Sequence, residues 1–132
     1  MKKILVIDDD QNLDENTAEL LAIAGYSVAT AVNGKLGFDI ALEFNPDIII
    51  CDIMMPKTNG VAFLILIKEN PATKDIPLIF MSGSAIPQYL YDSMMKNGYE
   101  FLSKPFTEKQ LIDAIERSLS RSSESLLKPK KP

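Results

Sequence analysis

Short apolar runs alternate along the chain with longer stretches in which apolar residues recur every three or four positions. Because most positions in each short run are apolar, the runs are typical of parallel strands that helices cover on both faces. The spacing in the longer stretches is that of amphipathic helices. The pattern predicts five strands, each followed by a helix, at Lys3–Ile7, Ser27–Ala31, Asp47–Cys51, Leu78–Met81 and Tyr99–Ser103.

Residues that begin or end helices support this division. Gly25 suits the C-terminal cap of the first helix, and Pro87 suits the first turn of the fourth. Thr107 and Gln110 have the spacing of a capping box at the start of the fifth helix. The third helix is ambiguous, because residues 61–67 are apolar and rich in β-branched residues and therefore also suit a strand.

The connections decide between these possibilities. Parallel strands need a crossover, which favours a helix for the ambiguous segment. The predicted fold class is therefore α/β: a doubly wound (βα)5 three-layer sandwich around a five-stranded parallel sheet, with flavodoxin-like architecture. A chain of 132 residues suffices for one such domain, which we place at residues 1–119.

The composition changes after Ser118. Residues 120–132 contain several serines, two prolines, one acidic residue and four basic residues. Such a composition cannot bury much apolar surface, and we predict a flexible basic tail of Ser, Lys and Pro at residues 120–132. The basic residues are Arg121, Lys128, Lys130 and Lys131.

The composition of the whole chain excludes several classes of function. A net charge of −4 argues against direct nucleic-acid binding. The absence of histidine excludes Ser-His-Asp and Cys-His catalysis and His-ligated zinc, and a single cysteine excludes an internal disulfide. The longest apolar run, Val61–Ile67, has seven residues and is too short to cross a membrane. We therefore expect a cytoplasmic protein without membrane contact.

Polar residues suited to chemistry follow four of the five predicted strands. The aspartates Asp8–Asp10 follow the first, Asp52 the third, Ser82 and Gly83 the fourth, and Lys104 the fifth. The carboxyl ends of parallel strands share one edge of the sheet, where ligands bind in such folds. This predicts an oxygen-ligand metal site beside an aspartate that can accept a phosphoryl group. The serine hydroxyl and the glycine N–H are candidate donors to a phosphate oxygen.

The charges of these residues predict that a metal is needed. Asp8, Asp9 and Asp52 outnumber the single ammonium of Lys104, so the site alone would repel a phosphoryl dianion. Mg²⁺ balances the charge and prefers carboxylate, carbonyl and water oxygens; Mn²⁺ is a possible substitute. Carboxylates are established nucleophiles for phosphoryl groups, and the metal and the lysine would neutralise the group in transfer.

With these residues in place, the chain resembles the receiver domain of two-component response regulators, of the stand-alone, CheY-like kind. The resemblance covers about Lys2 to Leu119, nearly everything except the predicted tail. Its motifs are specific in combination, although each is common alone. They are Ile4–Asp10, Asp52–Pro56 with Gly60, Ser82-Gly83 and Lys104–Phe106.

The resemblance implies a role for each matched position. Asp52 would take the phosphoryl group from a histidine kinase or a histidine phosphotransfer protein and would also ligate Mg²⁺. Asp9 would bind the metal directly, and Asp8 mainly through a metal-bound water. Met54 would offer its backbone carbonyl to the metal. Lys104 would pair with the bound phosphate.

The resemblance also implies a switch. Ser82 would move its hydroxyl toward the phosphate, and Phe101 would fill the space that it leaves. This would change the face formed by the fourth helix, the fifth strand and the fifth helix, and so alter contacts with an unidentified downstream protein. We expect a monomer or a phosphorylation-dependent dimer, acting as a signalling phosphoprotein and not as a dedicated enzyme. The apolar surplus on the fourth helix is either a docking patch or extra core: Tyr89, Leu90, Tyr91, Met94 and Met95.

Other functions stay open at this point. The chain could be a receiver from a larger regulator or hybrid histidine kinase, or a degenerate receiver that binds without being phosphorylated. An aspartate-nucleophile phosphatase would use Asp8, but Gln11-Asn12 do not match the motif of that class. A flavin-binding domain would need a phosphate loop where this chain has three carboxylates.

Overall fold

The computed structural model describes residues 1–53 and 60–127. Strands and helices alternate strictly, as the sequence pattern predicts, and the ambiguous third segment is a helix. The elements are β1 Lys3–Ile7, α1 Gln11–Ile23, β2 Ser27–Ala31, α2 Gly34–Phe44, β3 Ile48–Asp52, α3 Gly60–Glu69, β4 Leu78–Ser82, α4 Gln88–Lys96, β5 Glu100–Ser103 and α5 Glu108–Leu127.

The five strands form one parallel sheet in the order β2-β1-β3-β4-β5. The strand order reverses between β1 and β3, which is the arrangement of doubly wound folds. The flavodoxin-like architecture predicted from the sequence is therefore confirmed. The register pairs Ile7 with Cys51 and Asp52 with Met81, so that the ends of three central strands lie side by side.

Alternate side chains of each strand enter two separate cores. In β1, Leu5 and Ile7 pack on the side of α2, α3 and α4, whereas Ile4 and Val6 pack on the side of α1 and α5. Both cores exclude solvent almost completely, as expected for a sheet covered on both faces. Because successive side chains of a strand alternate between the two faces, these core residues fix the face toward which the residues at the end of each strand point.

Four strand boundaries, on three strands, differ from the prediction by one residue each. The strand β3 begins at Ile48. Asp47, just before it, is tied to the start of β1: its N–H donates to the Lys3 carbonyl at 2.8 Å, and its carboxylate accepts from the Lys3 N–H at 2.8 Å. The strand β4 extends to Ser82, and β5 begins at Glu100. The strand β3 also ends one residue later than predicted, so Asp52 belongs to it and is held by pairing with Met81 on β4.

The predicted helix caps at Gly25 and Thr107 are present. Gly25 has a positive φ of 100°, a conformation that glycine adopts without strain. The Thr107 N–H donates to Gln110 Oε1 at 2.8 Å, and the Gln110 N–H donates to Thr107 Oγ1 at 3.1 Å. This reciprocal pair is the capping box expected at the start of α5.

The helix α5 is longer than the sequence pattern suggests. We expect a flexible tail from residue 120, whereas α5 continues to Leu127. One reason is an ion pair beyond the predicted boundary, because Arg121 Nη2 lies 2.7 Å from Glu100 Oε2 on β5. Residues 128–132 lie outside the described residues, so the tail stays a prediction there. Within the described ranges, no helix has the length and apolarity needed to cross a membrane.

Candidate functional site

The strand periodicity directs two carboxylates into one place. Val6 and Ile50 point toward α1 and α5, and Asp8 and Asp52 lie two residues further on the same strands. Both aspartates are nearly inaccessible to solvent. Cys51 points to the opposite face, where burial and nearby aspartates raise the pKa of its thiol, so it takes no part in this group.

A lysine from the edge strand bridges these carboxylates. Lys104 Nζ lies 2.7 Å from Asp8 Oδ2 and 2.7 Å from Asp52 Oδ2. The Lys104 backbone N–H donates to the Ser82 carbonyl at 2.8 Å, which fixes the lysine relative to the end of β4. Burial alone would lower the pKa of Lys104, but hydrogen bonds and charge from Asp52 and Asp8 outweigh it and raise the pKa. The bridging group is therefore an ammonium at neutral pH.

A third carboxylate leaves the group with excess negative charge. Asp9 is exposed, yet partial burial, together with the charges of Asp8 and Asp52, raises its pKa. Each of the three aspartates offers an oxygen, and these oxygens all lie within 4.8 Å of one another. One ammonium cannot balance three carboxylates. An all-oxygen donor set with this residual charge fits a hard divalent cation such as Mg²⁺.

The predicted hydroxyl donor is engaged elsewhere in this structure. Ser82 is buried, and its hydroxyl donates to the Ser84 carbonyl at 2.8 Å while accepting from the Ser84 N–H at 3.1 Å. Ser82 follows Phe80 on the face covered by α4, whereas Asp52 points to the other face. Reaching a group on Asp52 therefore requires these bonds to Ser84 to break.

Gly83 is exposed and close to the lysine. A methyl group at this position would lie 3.8 Å from Lys104 Cβ, an ordinary contact, so packing does not require glycine here. The Gly83 N–H stays a candidate donor, since the residue adjoins Ser82 at the edge of the sheet. Met54, the expected backbone ligand, lies outside the described residues.

Phe101 lies against α4, the helix that follows residues 83–87. Its ring is half-buried and meets the ring of Tyr91 edge-on, with centroids 5.9 Å apart and planes at 88°. The sequence pattern gave no signal for this contact, because the two residues belong to different elements. On α4, Tyr89 and Met95 are exposed and Met94 is buried, so much of the apolar surplus lies at the surface.

Comparison with known proteins identifies the family. Residues 4–116 match the model of the response regulator receiver domain. The chain belongs to the response regulator receiver family. Members of this family act in two-component signalling, and receiver domains typically bind Mg²⁺ at a cluster of aspartates. This membership favours the receiver interpretation over the phosphatase and flavin-binding alternatives.

Two relatives named as transcriptional regulators are identical to this chain at about a third of the aligned residues. The chain is 33% identical over 119 residues to the probable transcriptional regulator ycf29 of Pyropia yezoensis, covering 90% of this chain and 54% of that protein. It is 33% identical over 124 residues to the transcriptional regulatory protein CpxR of Escherichia coli, covering 92% of this chain and 51% of that protein. The chain thus spans about half the length of these relatives.

The matches with solved receiver structures span nearly the whole length of those chains. A response regulator receiver domain protein from Clostridium thermocellum superposes with a TM-score of 0.80 at 34% identity, covering 97% of this chain and all of that one. The chemotaxis protein CheY4 of Vibrio cholerae gives a TM-score of 0.81 at 26% identity, covering 89% of this chain and 98% of that chain. The receiver prediction made from the sequence is confirmed by these likenesses.

Proposed function

We propose that this domain accepts a phosphoryl group on Asp52 from a phosphohistidine of a histidine kinase or phosphotransfer protein. The observation that carries the proposal is the position of Asp52. It ends β3 with its carboxylate bonded to Lys104, and it is grouped with Asp8 and Asp9 at the carboxyl edge of the sheet. Such an edge is where open α/β sheets bind ligands.

The transfer is a displacement at phosphorus. A carboxylate oxygen of Asp52 forms a P–O bond as the P–N bond of phosphohistidine breaks. The electron pair of the broken bond returns to the imidazole nitrogen, which takes a proton from solvent. Because little other covalent chemistry is needed, the domain contributes mainly positioning and charge neutralisation.

The residues around Asp52 supply these contributions. Asp8, Asp9 and Asp52 would hold Mg²⁺, with the Met54 carbonyl as a further predicted ligand. When bound, the metal neutralises charge on the phosphoryl oxygens. Lys104, already at hydrogen-bond distance from Asp52, adds a positive charge to the same side, and Asp8 keeps its ammonium in place.

The response would follow from the hydroxyl and the aromatic ring. The Ser82 hydroxyl leaves Ser84 and donates, with the Gly83 N–H, to a phosphoryl oxygen. Phe101 and α4 adjust to this movement, which alters the surface formed by α4, β5 and α5 for a downstream protein. The relatives named as transcriptional regulators favour a second form of the same function, in which this receiver controls the output of a longer protein.

The proposed chemistry is tested by phosphorylation with acetyl phosphate, measured by intact mass with and without Mg²⁺. We expect the wild-type chain to gain one phosphoryl group only with Mg²⁺, and Asp52→Asn to gain none. Asp75→Asn is the matched control, because it removes the same charge from an exposed position at the opposite edge of the sheet. Its labelling should equal that of the wild type.

Two outcomes would contradict the proposal. Unchanged labelling of Asp52→Asn would mean that another residue is the nucleophile, and Asp8→Asn would then test the phosphatase interpretation. Equal labelling with and without Mg²⁺ would mean that the aspartate group does not act through a metal.

A further inference from the structure

We propose that Tyr91 holds α4 in its resting position by packing against Phe101, and that phosphorylation of Asp52 must break this contact. The inference rests on the proposed function and adds to it a residue that sets the balance between the resting and phosphorylated states. Tyr91 would act as a positioning residue, because its ring packs on the α4 face of the sheet, whereas Asp52 points to the other face.

The helix α4 has few other attachments. Of its nine residues, Met94 is buried, Leu90 is half-buried and the others are exposed. Its N-cap residue, Pro87, makes no side-chain capping bond. Because burial of apolar surface is the main force that docks a surface helix, α4 depends on a small number of contacts.

The Tyr91 ring supplies one of these contacts. Its edge-on geometry against Phe101, at 5.9 Å and 88°, is a favourable arrangement for two aromatic rings. Phe101 has no hydroxyl, so its ring can be held in place only by packing. Phe101 also lies opposite Phe80 in the β4–β5 register and so sits two residues from the level of Ser82.

The chain itself connects the site to this contact. Residues 83–87 lead directly from Ser82, at the end of β4, to the first residue of α4. In the resting structure, two hydrogen bonds between the Ser82 hydroxyl and the Ser84 backbone hold the first residues of this connection in place. When the hydroxyl turns toward a group on Asp52, those bonds break, and Tyr91 then remains among the few contacts that resist movement of α4.

A contact present only in the resting state lowers the affinity for ligands of the other state. Removal of the Tyr91 ring should therefore increase binding of a phosphoryl analogue at Asp52. Edge-to-face pairs of this kind correspond to a change of about two- to tenfold in an equilibrium constant. The change should disappear when the partner ring at Phe101 is already absent.

The test is calorimetric titration of the full chain with beryllofluoride, a phosphoryl analogue, at constant Mg²⁺. Tyr91→Leu should bind about two- to tenfold more tightly than the wild type. Tyr91→Phe keeps the ring and should bind as the wild type does. Tyr89→Leu is the matched control, since Tyr89 is 76% exposed on the same helix and has no ring partner among the described residues.

The double variant separates a specific contact from a general loosening of α4. In a Phe101→Leu background, Tyr91→Leu should have no further effect on affinity, whereas additive effects would overturn the proposal. Equal affinities of Tyr91→Leu and the wild type would also overturn it, while leaving the proposed function intact. Failure of the wild type to bind the analogue would overturn both.

Discussion

The two helices that flank β5 are attached to it in different ways. On one face, α5 begins with a capping box and buries a stripe of side chains against the sheet. On the other face, α4 buries Met94 and half-buries Leu90. The buried residues of the α5 stripe are Leu111, Ala114, Ile115 and Ser118.

Charged groups strengthen the difference. Glu100, at the start of β5, accepts from Arg117 Nε at 2.8 Å and lies 2.7 Å from Arg121 Nη2, so that two turns of α5 are tied to the strand. On the α4 face, the Tyr91 ring packs edge-on against the Phe101 ring of β5. Among the described residues, this ring pair is the counterpart of the ion pairs on the α5 face. The edge strand is thus firmly held on the α5 side and loosely on the α4 side.

This difference matches the division of the site. The carboxylates and Lys104 lie on the α1 and α5 face, where the proposed phosphoryl transfer would need constant positions. Ser82 and Phe101 lie on the α4 face, through which the proposed movement of Ser82 would reach the surface. A firmly held face for the proposed chemistry and a weakly held face for the proposed response would suit a signalling domain.

The largest expected effect comes from removing one buried side chain on each face. Ile115→Ala on α5 should lower the free energy of unfolding by about 2–5 kcal/mol, because it leaves a cavity in the core under a firmly attached helix. Met94→Ala on α4 should cost less, about 2 kcal/mol, since α4 can detach without unfolding the sheet. Urea denaturation measures both, and equal losses would contradict the proposed difference between the helices.

A smaller effect should come from Glu100 and should depend on pH. Burial alone would raise the pKa of Glu100, but hydrogen bonds and charge from Arg117 and Arg121 outweigh it and lower the pKa below its ordinary 4.5. The ion pairs therefore stabilise the fold above pH 4.5. This stabilisation is lost as the pH falls through the pKa of Glu100 in the folded state. Because both arginines are about half exposed, Glu100→Gln should cost at most about 1 kcal/mol at neutral pH.

The control for this measurement lies on the other face of β5. Asp92 on α4 accepts from Gln88 at 2.8 Å within the helix and has no ion pair to β5 among the described residues. Asp92→Asn should change the free energy of unfolding by less than about 0.5 kcal/mol, both at neutral pH and in the acid range. Thermal unfolding followed across the acid range compares the variants, and a constant Glu100→Gln deficit at all pH values would exclude the ion-pair explanation.

The sequence predicted the parts of this structure that depend on local pattern. Apolar runs identified all five strands, and the connection rule identified α3 as a helix although residues 61–67 also suit a strand. Strand ends also identified Asp8, Asp52 and Lys104 as neighbours, because parallel strands share their carboxyl edge.

Other features depend on contacts that no local pattern records. The bond from the Ser82 hydroxyl to the Ser84 carbonyl follows from the path of one loop, and the Tyr91–Phe101 pair joins two elements. The extension of α5 past residue 119 accompanies an ion pair between residues distant in sequence, Glu100 and Arg121. The Met54 ligand stays a prediction, since it lies outside the described residues.

Amide hydrogen exchange on the intact chain, with Mg²⁺ and with or without acetyl phosphate, tests the central claim most directly. We expect faster exchange across α4, residues 88–96, when Asp52 is phosphorylated, and unchanged exchange across residues 108–121 of α5. The same treatment of Asp52→Asn should change neither helix. An unchanged α4 in the phosphorylated wild-type protein, or a change in α5 as large as that in α4, would contradict the account.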